Sequence, residues 1–467
     1  MAPPAAPPSR ARPGDFDAGL ARAREAALGG RYREARTILA AIEERAWDNP
    51  RDLRRLAEYH GHMNRPVEAE RCCARAVELA PDDARAHYDL AAASIAIGRI
   101  DAAEAHFDRV IAADPRDWDA WANRSTLRRA TAERNHVAAL DRAMAAAGRD
   151  AEARIALGHA LAKELEDLGD HDRAFAVLKA AADARRARLS YRVADDVATM
   201  AGIADAFSAE RLRGAPPPAA EPGPIFILGL PRSGTTLVDR ILSSHSRVAS
   251  LGEIQDFALA LVEGAGTAQG KADLIRRSAA MDHAVLGRAY RARTAERDPG
   301  APFAIDKTPL NCLYIGLIAL ALPDARIVHV RRGAMDGCYA MYKTLFRMGY
   351  PFSYDLGDLA AYRIAHERLM DHWRAALPGR MIEIDYEALI ADQEGESRRL
   401  VAACGLDWED GCLDFHRNPA PVATASAVQV RAPIHDRSVG LWRRYEAGLA
   451  PLADALRGAG IPLDYGR

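Results

Sequence analysis

The stretch that most constrains the fold is residues 224–242, PIFILGLPRSGTTLVDRIL. The run Ile225–Leu228 is short, apolar and rich in branched and aromatic side chains, which predicts a buried strand of a parallel sheet. The glycine-containing loop 229–234 follows, and apolar residues then recur at helical spacing. Loop glycines and the free N–H groups at a helix start favour an anion. This order therefore predicts a phosphate-binding loop.

The loop copies the glycine spacing of the nucleotide P-loop, Gly229-x4-Gly234. However, Thr235 stands where nucleotide-hydrolysing P-loop proteins have the lysine that reaches the β- and γ-phosphates of ATP or GTP. The sequence therefore disfavours a kinase or NTPase. Arg232 supplies the positive charge of this loop, and the alternative interpretation is a plain turn between a strand and a helix.

The whole chain has 467 residues, which predicts two to three domains. Its formal net charge of -2 gives no general attraction to nucleic acid or to an anionic membrane. Six cysteines without C-x-x-C or Cys/His ligand spacing are typical of a reduced, metal-free cytoplasmic protein. No run of about eighteen apolar residues occurs, so no membrane-spanning helix is predicted.

Residues 15–205 are predicted to form an all-α tetratricopeptide solenoid. Similar turn motifs begin at Gly30, Asn64 and Gly98, each 34 residues after the last. Repeat helices of this kind bury their apolar faces only by stacking, which leaves a concave groove. The groove is predicted to dock a peptide or protein acceptor or a partner, and a dimerisation or spacer role is an equally weighted alternative.

Three further segments complete the predicted organisation. Residues 1–14 are a proline-rich lead without the apolar core of a signal peptide, and we expect them to be disordered. Residues 206–222 form a proline-rich linker. In residues 223–467 apolar strands alternate with helical patterns, which predicts an α/β domain with a parallel sheet.

Basic residues stand at or just after the predicted strand ends of this domain. Ligands of open α/β sheets bind beyond the carboxyl ends of the strands. We therefore expect these basic residues to converge on one anionic ligand: Arg232, Lys307, Arg331 and Arg332.

The PRSGTT loop after an apolar strand resembles the 5′-phosphosulfate loop of sulfotransferases that use 3′-phosphoadenosine 5′-phosphosulfate (PAPS). The likeness is strongest to the branch with an N-terminal tetratricopeptide array and more distant to tyrosylprotein sulfotransferases. It implies a P-loop-like sheet, PAPS as a co-substrate released as PAP, and no required metal. The implied donor cradle consists of Arg232, Ser233, Gly234, Thr235 and Thr236.

The same resemblance implies the catalytic groups. Glu253, in SLGEI, matches the glutamate that deprotonates the acceptor in tyrosylprotein sulfotransferases. Lys307, in DKTPL, matches a strand-end lysine placed to stabilise charge on the bridging oxygen, a role it shares with Arg232. Small-molecule sulfotransferases use a histidine in K-T-H as the base. Pro309 occupies that position here, which favours Glu253.

The 3′-phosphate subsite is implied less completely. Arg332 fits the family arginine, but Ala340 stands where the family has a serine. A lost hydroxyl contact to a phosphate costs about 1.5–3 kcal/mol when nothing replaces it. The tail motif around residues 424–445 resembles that of tetratricopeptide-linked sulfotransferases, and it implies that Ser426, Arg437 and Ser438 contact the adenosine or the 3′-phosphate.

The sequence thus predicts a cytoplasmic sulfotransferase that moves a sulfuryl group to a hydroxyl or amine. The acceptor stays open between a peptide or protein tyrosine, a carbohydrate and a lipid. One alternative is a catalytically impaired nucleotide-binding adaptor whose repeats dock a partner, and another is a nucleotide kinase. The composition implies no nucleic-acid partner, and self-association is compatible with the solenoid.

Overall fold

The computed structural model describes residues 13–216, 221–347, 349–424 and 426–465. Most of the predicted disordered lead and residues 217–220 of the predicted linker lie outside these ranges. Among the described residues, no helix is both long enough and apolar enough to cross a bilayer.

The N-terminal half is entirely helical over its described residues. Its helices are α1 Pro13–Leu28, α2 Tyr32–Ala46, α3 Pro50–His62, α4 Pro66–Leu79, α5 Ala84–Ala96, α6 Ile100–Ala113, α7 Trp118–Thr126, α8 Val137–Ala147, α9 Ala151–Leu168, α10 His171–Arg186, α11 Val193–Ala206 and α12 Ala209–Leu212.

The 34-residue period of the sequence reappears in the helix starts. The second helices of three successive units begin at Tyr32, Pro66 and Ile100. Each is preceded by a turn residue with left-handed backbone, and these φ angles are 76° at Gly30, 57° at Asn64 and 82° at Gly98. Glycine and asparagine adopt this conformation most readily, which explains why those residues mark the repeat. The predicted helical repeats are confirmed.

The C-terminal half contains one parallel sheet with helices around it. Its strands are β1 Ile225–Leu228, β2 Val248–Ser250, β3 Phe303–Asp306, β4 Arg326–Arg331 and β5 Met381–Asp385. Its helices are α13 Thr235–Leu242, α14 Asp256–Ala265, α15 Lys271–Ala280, α16 His283–Glu296, α17 Ile315–Ala321, α18 Ala334–Tyr342, α19 Leu356–Ala376, α20 Tyr386–Ala391, α21 Gln393–Ala403 and α22 Glu446–Gly458. Short 3₁₀ turns span Pro309–Tyr314, Pro351–Tyr354, Asp410–Cys412, Phe415–Arg417, Gln429–Arg431 and Leu441–Tyr445.

The strand order is β2-β3-β1-β4-β5, and every pairing is parallel. The first strand lies at the centre, where Ile225 pairs with both Ile305 and Arg326. All four of its residues are buried, as its unbroken apolar run predicts. The phosphate-binding loop therefore leaves the carboxyl end of the central strand. The predicted fold, a P-loop-like parallel sheet preceded by a tetratricopeptide solenoid, is confirmed.

The solenoid and the sheet region share apolar core. One continuous cluster of buried residues includes Leu157 and Leu178 of the solenoid together with Tyr342 and Leu449 of the C-terminal half. A second cluster is confined to the first repeats, from Phe16 to Leu90. The later repeats are thus packed into the same core as the sheet helices, whereas helices α1–α4 share a separate apolar cluster with Ala86 and Leu90 of α5.

Candidate functional site

The loop between β1 and α13 wraps tightly because two of its glycines touch neighbouring groups. A Cβ at Gly229 would lie 2.5 Å from the Val330 carbonyl oxygen, and one at Gly234 would lie 2.6 Å from the Tyr386 ring. Both glycines have positive φ angles, and so does Arg232, at 65°. A non-glycine residue in this conformation is uncommon and is favoured where a functional loop needs it. The left-handed turn places the Arg232 side chain beside the loop.

Two guanidinium groups meet next to this loop. Arg332 donates hydrogen bonds to the carbonyl oxygens of Arg232 and Ser438, both at 2.9 Å, and its guanidinium lies 4.8 Å from the centre of the Tyr386 ring. Arg232 donates to the Ser426 hydroxyl and, at 3.0 Å, to the Gln429 side-chain oxygen. Within the described ranges, neither arginine forms an ion pair with a carboxylate. Burial and the nearby Arg332 charge lower the pKa of Arg232 to about 10.

Several polar atoms at the loop are buried without a hydrogen-bond partner among the described residues. They are Nε of Arg232, Nε of Arg332 and Oγ of Ser233. Buried cations and donors without partners are costly, so sites that contain them are typically completed by a ligand. These donors surround the free N–H groups at the start of α13 and fit a phosphate or sulfate group.

The donor cavity, as we call it, opens between the loop and helix α18. Its lining includes Arg232, Gly234 and Thr236 from the loop and the start of α13, together with Arg332 after β4 and Ala340 of α18. Tyr386, Ser426, Gln429 and Ser438 also line it. The cavity thus joins the loop to the predicted 3′-phosphate arginine, which suits an elongated ligand with an anionic group at each end.

Ala340 contributes only a methyl group to this cavity, but a third cation, Lys343, lies three residues further on, directly after the end of α18. Lys343 lines the donor cavity and pairs with Glu166 of solenoid helix α9 at 2.6 Å. The Tyr339 hydroxyl also donates to Glu166. A solenoid carboxylate therefore holds a lysine at the edge of the predicted 3′-phosphate subsite.

Glu253 and Lys307 form an ion pair on the other side of the loop. The Lys307 side chain is 1% exposed and that of Glu253 is 42% exposed. The buried carboxyl of Asp239, in α13, also lies near Lys307; burial raises the pKa of Asp239, and the charge of Lys307 lowers it. Lys307 is thus a buried ammonium between two carboxylates, and Glu253 faces solvent-filled space.

Three clefts lie between the sheet region and the solenoid, and Glu253 lines two of them. The outer cleft is lined by residues of α1 and α3 together with Glu253. The loop cleft is lined by Glu253, Arg232, Thr235 and Ile95 of α5. The distal cleft shares Arg232, Ile95 and Asn123 with the loop cleft and continues along α7 and α9. Glu253 therefore stands at the junction of two clefts that both have solenoid walls.

The structure brings most of the sequence-predicted site residues together. Arg232, Gly234, Thr236, Arg332, Ser426 and Ser438 line the donor cavity, Thr235 lines the loop cleft, and Ser233 is buried in the loop. Arg437 is exposed and lines none of these spaces.

Arg331 does not join the other basic residues that we expected to converge on one anionic ligand. Its guanidinium pairs with Glu383 and Asp385 of the neighbouring strand β5, at 3.5 and 3.4 Å, and lies over the Tyr465 ring. Successive residues of a strand point to opposite faces, so Arg331 and Arg332 cannot both face the loop.

Sequence reasoning missed Tyr386, Gln429 and Lys343 as cavity residues. Gln429 lies in the tail motif around residues 424–445, and Tyr386 directly follows strand β5. The sequence therefore contained a signal for both positions. Lys343 and its partner Glu166 are 177 residues apart, and no local pattern connects them.

Comparisons with known proteins agree with this architecture. Residues 224–410 match the sulfotransferase family, and residues 62–124 match the tetratricopeptide repeat. An uncharacterized protein of Aquifex aeolicus is 34% identical over 319 residues, which are 66% of this chain and 42% of that protein. A Caenorhabditis briggsae protein named "Putative protein-tyrosine sulfotransferase" is 25% identical over 228 residues, which are 47% of this chain and 80% of that protein.

Solved structures with detectable likeness include a sulfotransferase of Mycobacterium avium, at 16% identity and a TM-score of 0.34, covering 63% of this chain and 92% of that one. The sulfotransferase domain of the Synechococcus olefin synthase has 17% identity and a TM-score of 0.31, covering 48% of this chain and 95% of that one. Residues 224–410 thus match the sulfotransferase family and residues 62–124 match the tetratricopeptide repeat, in agreement with the resemblance of the motifs.

Proposed function

We propose that the protein transfers a sulfuryl group from PAPS to the tyrosine hydroxyl of a polypeptide. The observation that carries the proposal is the pair of guanidinium groups, Arg232 and Arg332, that meet in the donor cavity without a carboxylate partner among the described residues. Such a pair is unfavourable unless an anion binds between the two groups.

The donor cavity fits the two anionic ends of PAPS. The cradle of Ser233, Gly234 and Thr235 with the start of α13 suits the 5′-phosphosulfate, and Arg232 reaches towards it from the loop. Arg332, whose guanidinium lies over the Tyr386 ring, suits the 3′-phosphate, and Lys343 also lines the cavity. Thr235 in place of the P-loop lysine disfavours a nucleoside triphosphate at this position.

PAPS supplies a sulfuryl group joined to a phosphate leaving group. Glu253 is placed to accept the proton of the acceptor hydroxyl because its carboxylate faces the loop cleft. Lys307 and Arg232 stabilise the negative charge that develops on the transferred group and on the leaving phosphate. The ion pair with Lys307 also fixes the Glu253 side chain in position.

The clefts favour a polypeptide acceptor. Glu253 lies where the outer and loop clefts meet, so an acceptor group at Glu253 can continue in both directions along the solenoid. The loop cleft is also lined by Ile95, Phe346 and Tyr350, which suit an aromatic ring better than a sugar rich in hydroxyls. The name of the Caenorhabditis briggsae relative points to the same acceptor.

Transfer of labelled sulfate from PAPS to tyrosine-containing peptides tests the proposal. We expect Glu253→Gln to lower kcat at least 100-fold while the Kd for PAP changes less than threefold, because the carboxylate acts on the acceptor. Glu58→Gln is the matched control, since Glu58 lines the outer cleft but is absent from the loop cleft. Unchanged turnover of Glu253→Gln would remove Glu253 from the mechanism.

Peptide length tests the acceptor class. A twelve-residue peptide with a central tyrosine should have a kcat/KM at least ten times that of N-acetyltyrosine amide, because the flanking residues bind in the clefts. Equal values for the two would restrict the acceptor to a small phenol, and transfer only to sugars would refute the peptide proposal.

The second candidate function is a nucleotide-binding adaptor, which the methyl group of Ala340 in the donor cavity favours. Retained PAP binding with no transfer to peptides, carbohydrates or lipids would support this candidate. Stronger binding of ATP than of PAP would instead support the kinase alternative.

A further inference from the structure

Three potential metal ligands from different solenoid helices meet inside the first repeats. Glu43 of α2, His60 of α3 and Cys72 of α4 each place one ligand atom within 4.8 Å of the other two. All three are buried, with 7%, 2% and 0% of their surfaces exposed, respectively. They line none of the clefts around the phosphate-binding loop. The cluster is therefore separate from the proposed transfer site.

The His60 ring points to a missing partner. Both of its nitrogens are buried and lack a hydrogen bond from any described residue. Its Nε2 lies 3.7 Å from a Glu43 carboxylate oxygen, which is too long for a hydrogen bond. Two ligands of one tetrahedral zinc ion, each about 2.1 Å from the metal, are about 3.4 Å apart. The observed separation is close to that value.

The donor set matches a specific class of metal. Thiolate, imidazole and carboxylate together are typical ligands of Zn²⁺, whereas Mg²⁺ and Ca²⁺ prefer oxygen alone. The buried His60 ring nitrogens, which lack hydrogen-bond partners among the described residues, leave a lone pair available to a metal. Neutral imidazole is the form that binds metals.

We propose that Glu43, His60 and Cys72 bind one Zn²⁺ ion that staples helices α2, α3 and α4 together. Binding releases the thiol proton of Cys72 to solvent, so that one thiolate and one carboxylate balance the two positive charges of the ion. Three protein ligands leave a fourth position for water.

The charge of Arg71 opposes zinc binding, because its guanidinium pairs with Glu43. The Arg71 side chain is 57% exposed and lies 5.9 Å from the centre of the Trp47 ring. The Arg71 side chain can therefore keep its contact with the Trp47 ring and its exposure to solvent when the Glu43 carboxylate turns to the metal. Only the Arg71 end of this ion pair is exposed, since the Glu43 side chain is 10% exposed, so zinc has to replace Arg71 as the partner of the carboxylate.

Cobalt binding to the full-length protein, freed of any histidine tag and stripped of metal, tests this site. We expect one Co²⁺ per chain with a thiolate-to-cobalt charge-transfer band, which Cys72→Ser abolishes and Cys73→Ser retains. Cys73 is the matched control because it is adjacent in sequence and equally buried but lies outside the cluster. Zn²⁺ at about 100 times its Kd should raise the Tm of the wild type by about 2–4 °C.

His60→Gln provides a second variant in case Cys72→Ser fails to fold, with PAP binding as the check on folding. It should weaken Co²⁺ binding at least tenfold. The absence of a charge-transfer band in folded wild-type protein, or an equal band in Cys72→Ser, would overturn the proposal. Neither outcome depends on sulfuryl transfer, so the zinc site and the proposed function fail or stand separately.

Discussion

Single residues in the donor cavity decide whether it binds a doubly anionic ligand. Arg232 and Arg332 provide positive charge without a carboxylate partner in the described part of the chain, while Lys343 is held by Glu166. Ala340 leaves an apolar spot on the same wall. The affinity for PAP therefore depends on whether the cations compensate for the hydroxyl that Ala340 lacks.

Ala340→Ser tests that balance directly. The new hydroxyl would face the donor cavity, and a hydrogen bond to a phosphate would tighten PAP binding by about threefold to tenfold. Isothermal titration calorimetry measures the change. Cys338→Ser is the control, because Cys338 is buried in the same helix and does not line the cavity. Unchanged or weaker binding by Ala340→Ser would place the 3′-phosphate elsewhere.

A second residue-scale prediction concerns Asp306 at the end of β3. Burial raises the pKa of Asp306 to about 7, although hydrogen bonds from Thr308 and Asn311 oppose the shift; Asp256 and the Tyr290 hydroxyl are its other neighbours. An unfolded aspartate has a pKa of about 3.9. The folded protein thus binds more protons between about pH 4 and 7, and this group destabilises the fold as the pH rises through that window.

Asp306→Asn removes this titration. Relative to the wild type, the variant should gain roughly 2 kcal/mol of unfolding free energy between pH 5 and pH 8, as measured from urea unfolding midpoints. Asp371→Asn, at an exposed surface ion pair, should show no such change. A pH-independent difference between Asp306→Asn and the wild type would mean that Asp306 is ionised throughout this range.

At the scale of elements, the strap formed by residues 422–424 and 426–431 links the predicted phosphate-binding loop to the solenoid. Its Val422 N–H and Arg431 guanidinium both donate to the Ala96 carbonyl at the end of α5, at 2.8 and 3.0 Å. Its Ser426 and Gln429 side chains accept from Arg232. The strap therefore covers one side of the donor cavity and is anchored to a repeat helix.

Arg431→Ala should loosen this anchor. We expect PAP to dissociate about threefold to tenfold faster in stopped-flow measurements, because the strap closes the cavity less often, while the Tm changes by less than about 2 °C. Arg417→Ala is the control, since Arg417 pairs only with exposed Asp414 among the described residues. Equal dissociation rates in both variants would show that the strap does not retain the donor.

The sequence predicts elements better than contacts between them. The apolar run Ile225–Leu228 predicts a buried strand, and β1 has the same bounds, because branched and aromatic residues at a buried strand leave a strong local pattern. Strand β2, Val248–Ser250, was not predicted, since three residues carry too little periodicity. The direction of Arg331 and the role of Lys343 depend on strand β5 and helix α9, respectively, and no local pattern encodes those contacts.

At the scale of the whole molecule, the apolar core does not divide at the boundary that the composition predicts between the solenoid and the sheet region. The linker predicted at 206–222 separates the solenoid from the sheet in sequence. In the structure, however, solenoid residues such as Leu161 and Phe175 pack with Tyr342 and Leu449 of the C-terminal half. A Cβ at Gly448 would lie 2.2 Å from the Phe175 ring, so helices α22 and α10 are in close contact. The later repeats are therefore structural support for the sheet region.

Truncated chains test whether the sheet region folds independently or needs the later repeats as structural support. A chain of residues 82–467 lacks the first repeats, whose apolar core is separate, and it should fold and bind PAP within about tenfold of the full-length Kd. A chain of residues 223–467 loses the solenoid side of the shared core and Glu166, so it should aggregate or unfold without a PAP-dependent rise in Tm.

The two chains are compared by size-exclusion chromatography and by thermal unfolding with and without PAP. Folded, monodisperse 223–467 with full PAP affinity would show that the sheet region is independent of the repeats, as the composition alone suggests. If instead 82–467 fails while the full-length chain folds, the first repeats support the site through contacts such as that of Asn64. Its side chain donates to the carbonyl oxygen of Leu251 at 2.6 Å, two residues before Glu253. The expected result, with only the shorter chain failing, places the boundary of the cooperative unit inside the solenoid.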